Sequence, residues 1–263
     1  MGVLTLNTCA GERSKILNRT PTLLAVLAFG ALVGACDSDP AGPNSPGAEI
    51  IFDLDFRDPA LGTQGWEAGF ADYPVDGEEI MELASGHEPL PEELDEEGYG
   101  LFIGATNRSD DVFMFWKGQI SELEPNTSYL VHFRVEFATD SPLGCVGVGG
   151  PPGESVWVKT GATLVEPDPV PEEVGSTDYW RMNIDKGNQS QAGADILLLG
   201  NVGIEESECL DRSWGMKTLE SEQPLPFTSD ASGSAWLLVG TDSGFESRTE
   251  LYYTRVRAVF EVA

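Results

Sequence analysis

A loop at residues 182–195 gathers side chains that could bind a hydroxylated ligand or a metal ion. Its sequence, MNIDKGNQSQAGAD, contains Asp185, Asn188 and Gln189 close together. Amide and carboxylate groups hydrogen-bond to sugar hydroxyls or supply oxygen ligands to calcium. Because an unpaired buried polar group costs free energy, these side chains must meet water, one another, a cation or a ligand. The loop is therefore predicted to form one wall of a binding site.

Lys186 lies in the middle of this loop, among carboxylates. A lysine in such a position most often neutralises its acidic neighbours, and that is the role we expect for it. The loop lacks the EF-hand pattern, which places a glycine at the sixth and a glutamate at the twelfth position. Calcium remains a candidate cofactor at an irregular site, and no set of metal ligands is assigned.

Two shorter polar clusters each follow an apolar run and could line the same edge of the domain. The first contains Asp110 and Asp111, and the second contains Asp242. Both clusters could equally be turns that aspartate and serine side chains stabilise. Trp66 and Trp214 lie in glycine-containing segments and are the better candidates for stacking on a sugar ring. The other tryptophans that lie in apolar runs are expected in the core: Trp116, Trp157 and Trp236.

Enzyme motifs are scarce, and no catalytic residue is assigned. His87 and His132 are the two histidines of the chain, so a multi-histidine metal centre is excluded. Neither an HExxH pattern nor a GxSxG elbow is present. A glycosidase needs only two carboxylates, which leaves that class open. The sequence favours a protein without catalytic activity.

The elements that must position these loops are β-strands. Apolar and polar residues alternate at 50–56, at 129–137 and at 250–262, where Tyr252, Val256, Ala258, Phe260 and Val262 are predicted to share one face. Further short apolar runs lie at 100–106, 112–116, 145–148, 155–159, 179–184, 195–202 and 235–240. No stretch has a sustained helical period with capping residues. Glycines and prolines separate the runs, which predicts about ten strands in a two-sheet antiparallel β-sandwich with long acidic loops.

Two segments narrow the type of sandwich. Residues 123–129, LEPNTSY, resemble the corner of fibronectin-like domains and carbohydrate-binding jelly rolls, in which a tyrosine hydroxyl ties the turn backbone. Residues 52–70 and 251–257 resemble the first and last strands of galactose-binding-like jelly-roll modules. Residues 145–215 depart from such a compact module through long insertions rich in proline and glutamate. Segments within this region, such as 153–162 and 182–195, resemble secreted bacterial proteins of no assigned activity. The resemblance implies a jelly-roll-like fold and a carbohydrate ligand.

The N-terminal region resembles the signal segment of a bacterial lipoprotein. Cationic residues precede an apolar run at 22–36 that is too short to span a bilayer comfortably. Val33, Gly34, Ala35 and Cys36 match the lipobox, whose cysteine accepts the lipid. The resemblance implies cleavage before Cys36 and a diacylglyceryl thioether on its sulfur. An ordinary secretory signal peptide and a single membrane anchor are the alternatives.

The segment after Cys36 is predicted to be a flexible tether. It reads DSDPAGPNSPG and contains no large apolar residue, so it cannot bury enough surface to offset the entropy of ordering. The predicted organisation is a signal peptide at 1–35, an acylated cysteine with its tether at 36–47, and one β-sandwich domain at 48–263.

The number of cysteines left in the mature domain is consistent with an exported protein. After Cys9 is removed with the signal and Cys36 is acylated, Cys145 and Cys209 remain. Two thiols in an oxidising compartment favour one disulfide, and two unpaired buried cysteines are the alternative.

The net negative charge of the chain excludes some classes of binding partner. The chain carries 15 basic and 44 acidic side chains, for a net charge of −29. Nucleic acid is excluded because a polyanion needs a basic footprint. Anionic lipids would repel the domain, so the membrane link must be the acyl chains on Cys36. The carboxylates are scattered over the loops, which favours a solvated acidic surface over a cluster of calcium sites.

The sequence therefore predicts a monomeric lipoprotein of the cell envelope that faces the periplasm or the exterior. Its expected function is non-catalytic binding of a glycan or another polyhydroxyl ligand. A carboxylate-dependent glycan-cleaving enzyme and a structural envelope protein without a small ligand are the alternatives. The predicted ligand-binding residues are Trp66, Asp110, Asp111, Asp185, Asn188, Gln189 and Asp242.

Overall fold

The structure, a computed structural model, describes residues 49–94 and 96–263. The predicted signal peptide, Cys36 and the tether lie outside the described residues. The strands are β1 (Glu49–Asp55), β2 (Glu67–Ala71), β3 (Tyr73–Pro74), β4 (Ala84–Pro89), β5 (Tyr99–Thr106), β6 (Val112–Ile120), β7 (Ser128–Thr139), β8 (Val156–Thr163), β9 (Pro169–Val174), β10 (Thr177–Met182), β11 (Ile196–Asn201), β12 (Gly215–Glu220), β13 (Leu225–Thr228), β14 (Ala235–Ser243) and β15 (Arg248–Val262). A single turn of helix, α1 (Glu78–Met81), lies between β3 and β4.

Two antiparallel sheets form the body of the domain. Sheet A has seven strands in the order β12-β7-β15-β5-β4, with β1 beside β15 and β13 beside β7. Sheet B has five strands in the order β11-β8-β14-β6-β2, and a small sheet has the order β3-β10-β9. One apolar core contains residues from both large sheets. The all-β, two-sheet antiparallel sandwich that the sequence predicts is confirmed.

Alternation of side chains produces this core. In β7, Val131, Phe133, Val135 and Phe137 are buried, whereas Arg134 between them is exposed. Burial of the apolar face removes large side chains from water and supplies the main stabilising free energy. The number of strands exceeds the prediction because short strands such as β3 and β13 carry too few residues to show a period.

One face assignment in the closing strand is wrong. Tyr252 was predicted on the face of Val256 and Phe260, but Tyr253 is fully buried and Tyr252 packs outside against Phe102 and Trp214. The register of β15 against β7 shifts between Tyr253 and Arg255. An extra residue at such a bulge moves all preceding side chains to the opposite face.

The tyrosine corner is confirmed. The backbone N–H of Glu124 donates to Tyr129 Oη at 2.9 Å, and the Tyr129 side chain is buried at the start of β7. The hydroxyl group thus fixes the turn that enters the strand, while its ring packs against Phe260.

The predicted disulfide is present between Cys145 and Cys209, with a Cα–Cα distance of 5.7 Å and a sequence separation of 64. The strand predicted at 145–148 is wrong, because this segment is a loop in which Val146 and Val148 are exposed. The disulfide and a backbone hydrogen bond, from the N–H of Glu246 to the carbonyl oxygen of Val148 at 2.9 Å, hold the loop. No helix in the described part of the chain is long and apolar enough to cross a membrane.

Candidate functional site

The insertion between β8 and β11 covers part of the outer face of sheet B, the face turned away from sheet A. It consists of β9, β10 and the loop at 182–195. Met182 and Ile184 pack on a second, small apolar cluster on that face. The cluster contains Ala71, Phe113, Phe115, Ile196 and Leu238. Part of the long segment that the sequence places outside a compact jelly roll, residues 164–195, therefore forms a cap on one sheet.

Buried charges fix this cap to the sheet. Asp242 on β14 is 0% exposed, and its Oδ2 lies 2.8 Å from Lys159 Nζ and 2.7 Å from Lys186 Nζ. The backbone N–H of Gln189 donates to the same oxygen at 2.9 Å. Lys159 Nζ also donates to the carbonyl oxygens of Lys186 and Gln191, both at 2.9 Å. We call Asp72, Asp111, Lys159, Lys186 and Asp242 the charge cluster.

Lys186 neutralises its acidic neighbours, as the sequence predicts. Its Nζ lies 2.7 Å from Asp72 Oδ2 as well as 2.7 Å from Asp242 Oδ2. Burial opposes the charged form, but the attraction of Asp242 and Asp72 outweighs it and raises the pKa of Lys186. Carboxylate oxygens of Asp72, Asp111 and Asp242 lie within 4.8 Å of one another, a spacing that could hold a metal ion. The Lys186 ammonium occupies the position between two of these carboxylates, so a calcium ion would have to displace it.

Asp111 and Asp242 differ in protonation. Burial, followed by repulsion from Asp242, raises the pKa of Asp111 to about 8. Burial also opposes the charge on Asp242, but Lys186 and Lys159 outweigh that effect and lower its pKa. At neutral pH the Asp111 carboxyl group is therefore largely protonated and can donate a hydrogen bond to Asp242. The pair is held as one acid and one carboxylate.

The charge cluster borders a polar cavity of about 390 Å³. Its lining consists of Asp72, Asp111, Glu172, Arg181, Met182, Ile184, Asp185, Lys186, Gly187 and Asn188. Asp185 accepts hydrogen bonds from the N–H groups of Gly187 and Ala194, at 3.1 and 3.0 Å. These backbone donors lower the pKa of Asp185. Its carboxylate thus closes its own loop, and the 182–195 loop does form one wall of this cavity.

The structure brings six of the seven predicted ligand-binding residues into this region. Asp111, Asp185 and Asn188 line the cavity, and Gln189 Nε2 donates to the carbonyl oxygen of Asp110 at 3.3 Å. Asp242 is beneath them, and its complete burial prevents contact with a ligand.

Trp66 does not belong to the site. Its side chain is 4% exposed and packs edge-on against Phe56 at 5.6 Å between ring centroids. The indole also lies directly over Gly118, where a Cβ atom would meet Trp66 Nε1 at 2.4 Å. Trp66 is thus a core residue, and the absence of a side chain at Gly118 makes room for it.

The burial of the other tryptophans agrees only in part with the prediction. Trp116 is buried in the core as expected, at 3% exposure. Trp157 and Trp236, predicted in the core, are half-buried on the outer face of sheet B, because their positions alternate with the inward-facing residues of β8 and β14. Trp214 is half-buried against Tyr252.

A second cavity, of about 520 Å³, lies next to β10 and has aromatic walls. Three of its lining residues are aromatic: Phe70 on β2, Tyr73 on β3 and Trp180 on β10. Trp180 is half-buried and is the strand partner of Tyr73 in the small sheet. Glu78 and Asp168 add carboxylates to the lining. We call this space the aromatic cavity.

The polar groups of the aromatic cavity differ in exposure, since Asp168 is accessible and Tyr73 is 5% exposed. Lys117 Nζ contacts Asp168 and also Glu166 at 2.6 Å, and the Asp168 side chain stays 49% exposed. Burial and the nearby Glu78 raise the pKa of Tyr73 to about 12, so its hydroxyl is a hydrogen-bond donor at neutral pH. The cavity therefore offers aromatic surface, oriented acceptors and a donor together.

The aromatic cavity is not predictable from the sequence pattern. Trp180 lies in a run that the pattern assigns to a strand, which says nothing about what either face of that strand meets. The signal that was present is the insertion itself: long loops on a rigid scaffold carry function more often than the scaffold does.

No family model and no curated protein matches this chain in sequence. Some solved structures are similar to it in fold. The mannan-recognising carbohydrate-binding module TmCBM27 is 10% identical over 82% of this chain and 99% of that chain, with a TM-score of 0.35. CBM28, a module specific for non-crystalline cellulose, is 13% identical over 83% and 98%, with a TM-score of 0.34. A cyclase from Fischerella sp. TAU is 11% identical over 82% and 99%, with a TM-score of 0.38. Similarity this low carries no argument about function.

Proposed function

We propose that this protein is a non-catalytic glycan-binding module and that the glycan occupies the aromatic cavity. The observation that carries the proposal is the combination of Trp180, Tyr73 and Phe70 with the carboxylates of Asp168 and Glu78 around one open space. The predicted site at the 182–195 loop supports the proposal less strongly, because Asp185 and Asp242 are already engaged with protein groups.

The chemistry of a sugar fits this lining. A pyranose ring presents C–H groups on one face, which pack on an aromatic ring, and hydroxyl groups around its edge. Carboxylates accept hydrogen bonds from such hydroxyls, and a tyrosine hydroxyl donates one in return. The volume of about 520 Å³ falls in the range of small-molecule sites. A neutral sugar suits the cavity best, because Asp168 and Glu78 would repel an acidic one.

A glycan-array screen followed by calorimetry tests this proposal. We expect a neutral glycan to bind with or without added calcium, and Trp180→Ala to weaken its binding about tenfold or more, since stacking surface is lost. Trp214→Ala is the matched control, because it removes another half-buried tryptophan that does not line the cavity. Equal binding by Trp180→Ala and the wild type would place the glycan elsewhere, and no neutral glycan binding at all would refute the function.

We also propose that the module is a monomer anchored to a membrane of the cell envelope through acyl chains on Cys36. The lipobox and the proline-rich segment behind it support this placement. Since the thioether requires the cysteine sulfur, Cys36→Ser should leave the protein unprocessed or release it to the soluble fraction. Normal processing and unchanged membrane partition in Cys36→Ser would contradict the anchor.

One observation favours a second candidate, a glycan-cleaving enzyme. A carboxyl group that is protonated at neutral pH and borders a cavity is a suitable general acid, and Asp111 has both properties. A second carboxylate is also required. Asp242 is wholly buried, and Asp72 and Asp185 in the cavity lining already bind protein groups, which leaves the exposed Glu172 as the remaining carboxylate of the lining. Binding is therefore the better-supported function. Hydrolysis of an array-positive glycan by the wild type, abolished in Asp111→Asn, would reverse this preference.

A further inference from the structure

Sheet A carries an unusual pairing of positive charges on the face turned away from the core. Arg134 on β7 is the direct cross-strand partner of Arg257 on β15. Like charges in this position repel each other and destabilise a sheet unless other groups compensate. Arg134 is compensated, since it contacts Glu220 and lies 3.1 Å from Glu136.

Arg257 is compensated only weakly. Its guanidinium lies 3.8 Å from Asp53 Oδ2, and Arg255 already donates to both oxygens of Asp53 at 2.6 Å. Among the described residues, Arg257 has no side-chain hydrogen bond, and its side chain is 40% exposed. A guanidinium has five N–H donors in a planar fork that matches a carboxylate. The donors of Arg257 are therefore free for a ligand.

A cavity of about 350 Å³ opens at these arginines. Its polar lining includes Arg134 and Arg257, the ring of His132, the hydroxyl of Ser221 and the carboxylate of Glu220. We call this space the arginine groove. The chain has only 15 basic side chains against 44 acidic ones, and four of its arginines lie on or beside this face: Arg57, Arg134, Arg255 and Arg257. Three of these arginines have close acidic partners on the same face, namely Glu136, Glu220 and Asp53, so the positive charge that is compensated least is that of Arg257.

We propose that the arginine groove is a second binding site, and that it takes the carboxylate of a small hydroxylated acid such as a sugar acid. The carboxylate meets the fork of Arg257, with Arg134 and His132 beside it, while hydroxyls of the ligand meet Ser221 and Glu220. Long-range repulsion by a chain of net charge −29 keeps polyanions away, so the ligand presents a single acidic group. This site is separate from the aromatic cavity, and it does not depend on the proposed function.

The test uses two ligands that differ mainly in one carboxylate. Galacturonate and galactose are titrated into the isotope-labelled protein, and backbone amide shifts are followed by NMR. We expect galacturonate to shift the amides of Arg134, Ser221 and Arg257, and galactose at the same concentration to leave them in place. Inorganic sulfate is the third probe, and it should bind the groove about tenfold more weakly than galacturonate or worse, because it offers no ring hydroxyls.

Two arginine variants decide whether the groove itself is responsible. Arg257→Gln should weaken galacturonate binding about tenfold or more, since it removes a charge-assisted bidentate contact. Arg108→Gln makes the same charge change at an exposed arginine outside the groove and should bind like the wild type. Equal losses in both variants would reduce the effect to net charge and overturn the proposal. Sulfate binding as tight as galacturonate binding would overturn the sugar-acid assignment.

The outcome is independent of the glycan site. Trp180→Ala should leave the galacturonate shifts in the groove unchanged, and Arg257→Gln should leave binding of a neutral glycan unchanged. Failure of one site would thus be visible while the other still works. Far-UV circular dichroism of Arg257→Gln confirms that its fold is intact before the titration is interpreted.

Discussion

Two cavities lie beside β10, and adjacent residues of this strand line them: Arg181 faces the polar cavity and Trp180 the aromatic one. In the polar cavity, most charged groups already have protein partners. Asp72 binds Arg181 and Lys186, Asp242 binds Lys159 and Lys186, and Asp185 binds backbone N–H groups. In the aromatic cavity, by contrast, the carboxylate of Asp168 is exposed and the indole of Trp180 is half-buried, so both can still contact a ligand.

The difference teaches how to separate polar groups that hold a fold together from those that are free for a ligand. A buried charge is tolerated where opposite charges and hydrogen bonds compensate for its desolvation. The charge cluster meets that condition, so its polarity is a property of the fold. In the aromatic cavity Asp168 also has a protein partner, Lys117, but its side chain stays exposed, so it can still accept a hydrogen bond from a ligand.

The largest expected effect is on stability, at the charge cluster. Asp242→Asn leaves the ammonium groups of Lys159 and Lys186 buried without their shared carboxylate. Loss of one partner from a buried ion pair costs about 3–5 kcal/mol. We expect urea unfolding to show a loss of this order in the free energy of unfolding. Asp178→Asn, an exposed position on β10, should change it by less than about 0.5 kcal/mol; similar losses in both variants would contradict a structural role for the cluster.

The next largest effect is expected from reduction of the disulfide, which should lower stability without changing glycan affinity. Cys145–Cys209 closes a long loop, and neither cysteine lines the two cavities. Its reduction should cost about 2–4 kcal/mol and lower the melting temperature by several degrees. Glycan affinity below that temperature should not change. A fall in affinity that precedes unfolding would show that the loops are coupled to the cavity.

Per pH unit, a smaller effect is the pH dependence that Asp111 imposes. Its pKa of about 8 in the folded protein lies above the ordinary value of 3.8. Between these values the folded state holds a proton that the unfolded chain has lost, so stability falls as pH rises, by at most about 1.4 kcal/mol per pH unit, and levels off above pH 8. Urea unfolding from acid to alkaline pH should show this slope in the wild type relative to Asp111→Asn. Parallel pH profiles would mean that Asp111 titrates normally.

The smallest effect is expected at the polar loop. Asp185→Ala combined with Asn188→Ala removes the carboxylate that accepts from Gly187 and Ala194. The change should cost about 1–2 kcal/mol of stability, in line with the loss of capping hydrogen bonds. It should leave neutral-glycan affinity within a factor of two or so. A large loss of affinity would move the binding site back to the 182–195 loop, where the sequence first places it.

The sequence predicted the scaffold well because alternation is a local property. Strands such as β1 and β7 show their faces in the order of apolar and polar residues. The tyrosine corner was also predictable, from its sequence motif. The Cys145–Cys209 disulfide was predictable from the number of cysteines outside the signal and the lipobox. The bulge in β15 was not, because it changes the register without changing the pattern of residue types.

The site was harder to predict because it depends on contacts between distant segments. Asp72, Lys159 and Asp242 come from three parts of the chain, and nothing local marks them as partners. Composition pointed to the polar loop, whose groups proved to bind one another. Trp66 was predicted to be accessible because glycines lie next to it in sequence. Its indole instead packs over Gly118, which has no side chain, and is buried there.

The indole N–H resonances test the central claim most directly. The six tryptophans each give one such signal, which substitution of single residues by phenylalanine would assign. On titration with an array-positive neutral glycan, the signal of Trp180 should shift in proportion to occupancy, while those of the buried Trp66 and Trp116 stay fixed. Saturable binding with no change at Trp180 would contradict the placement of the glycan in the aromatic cavity.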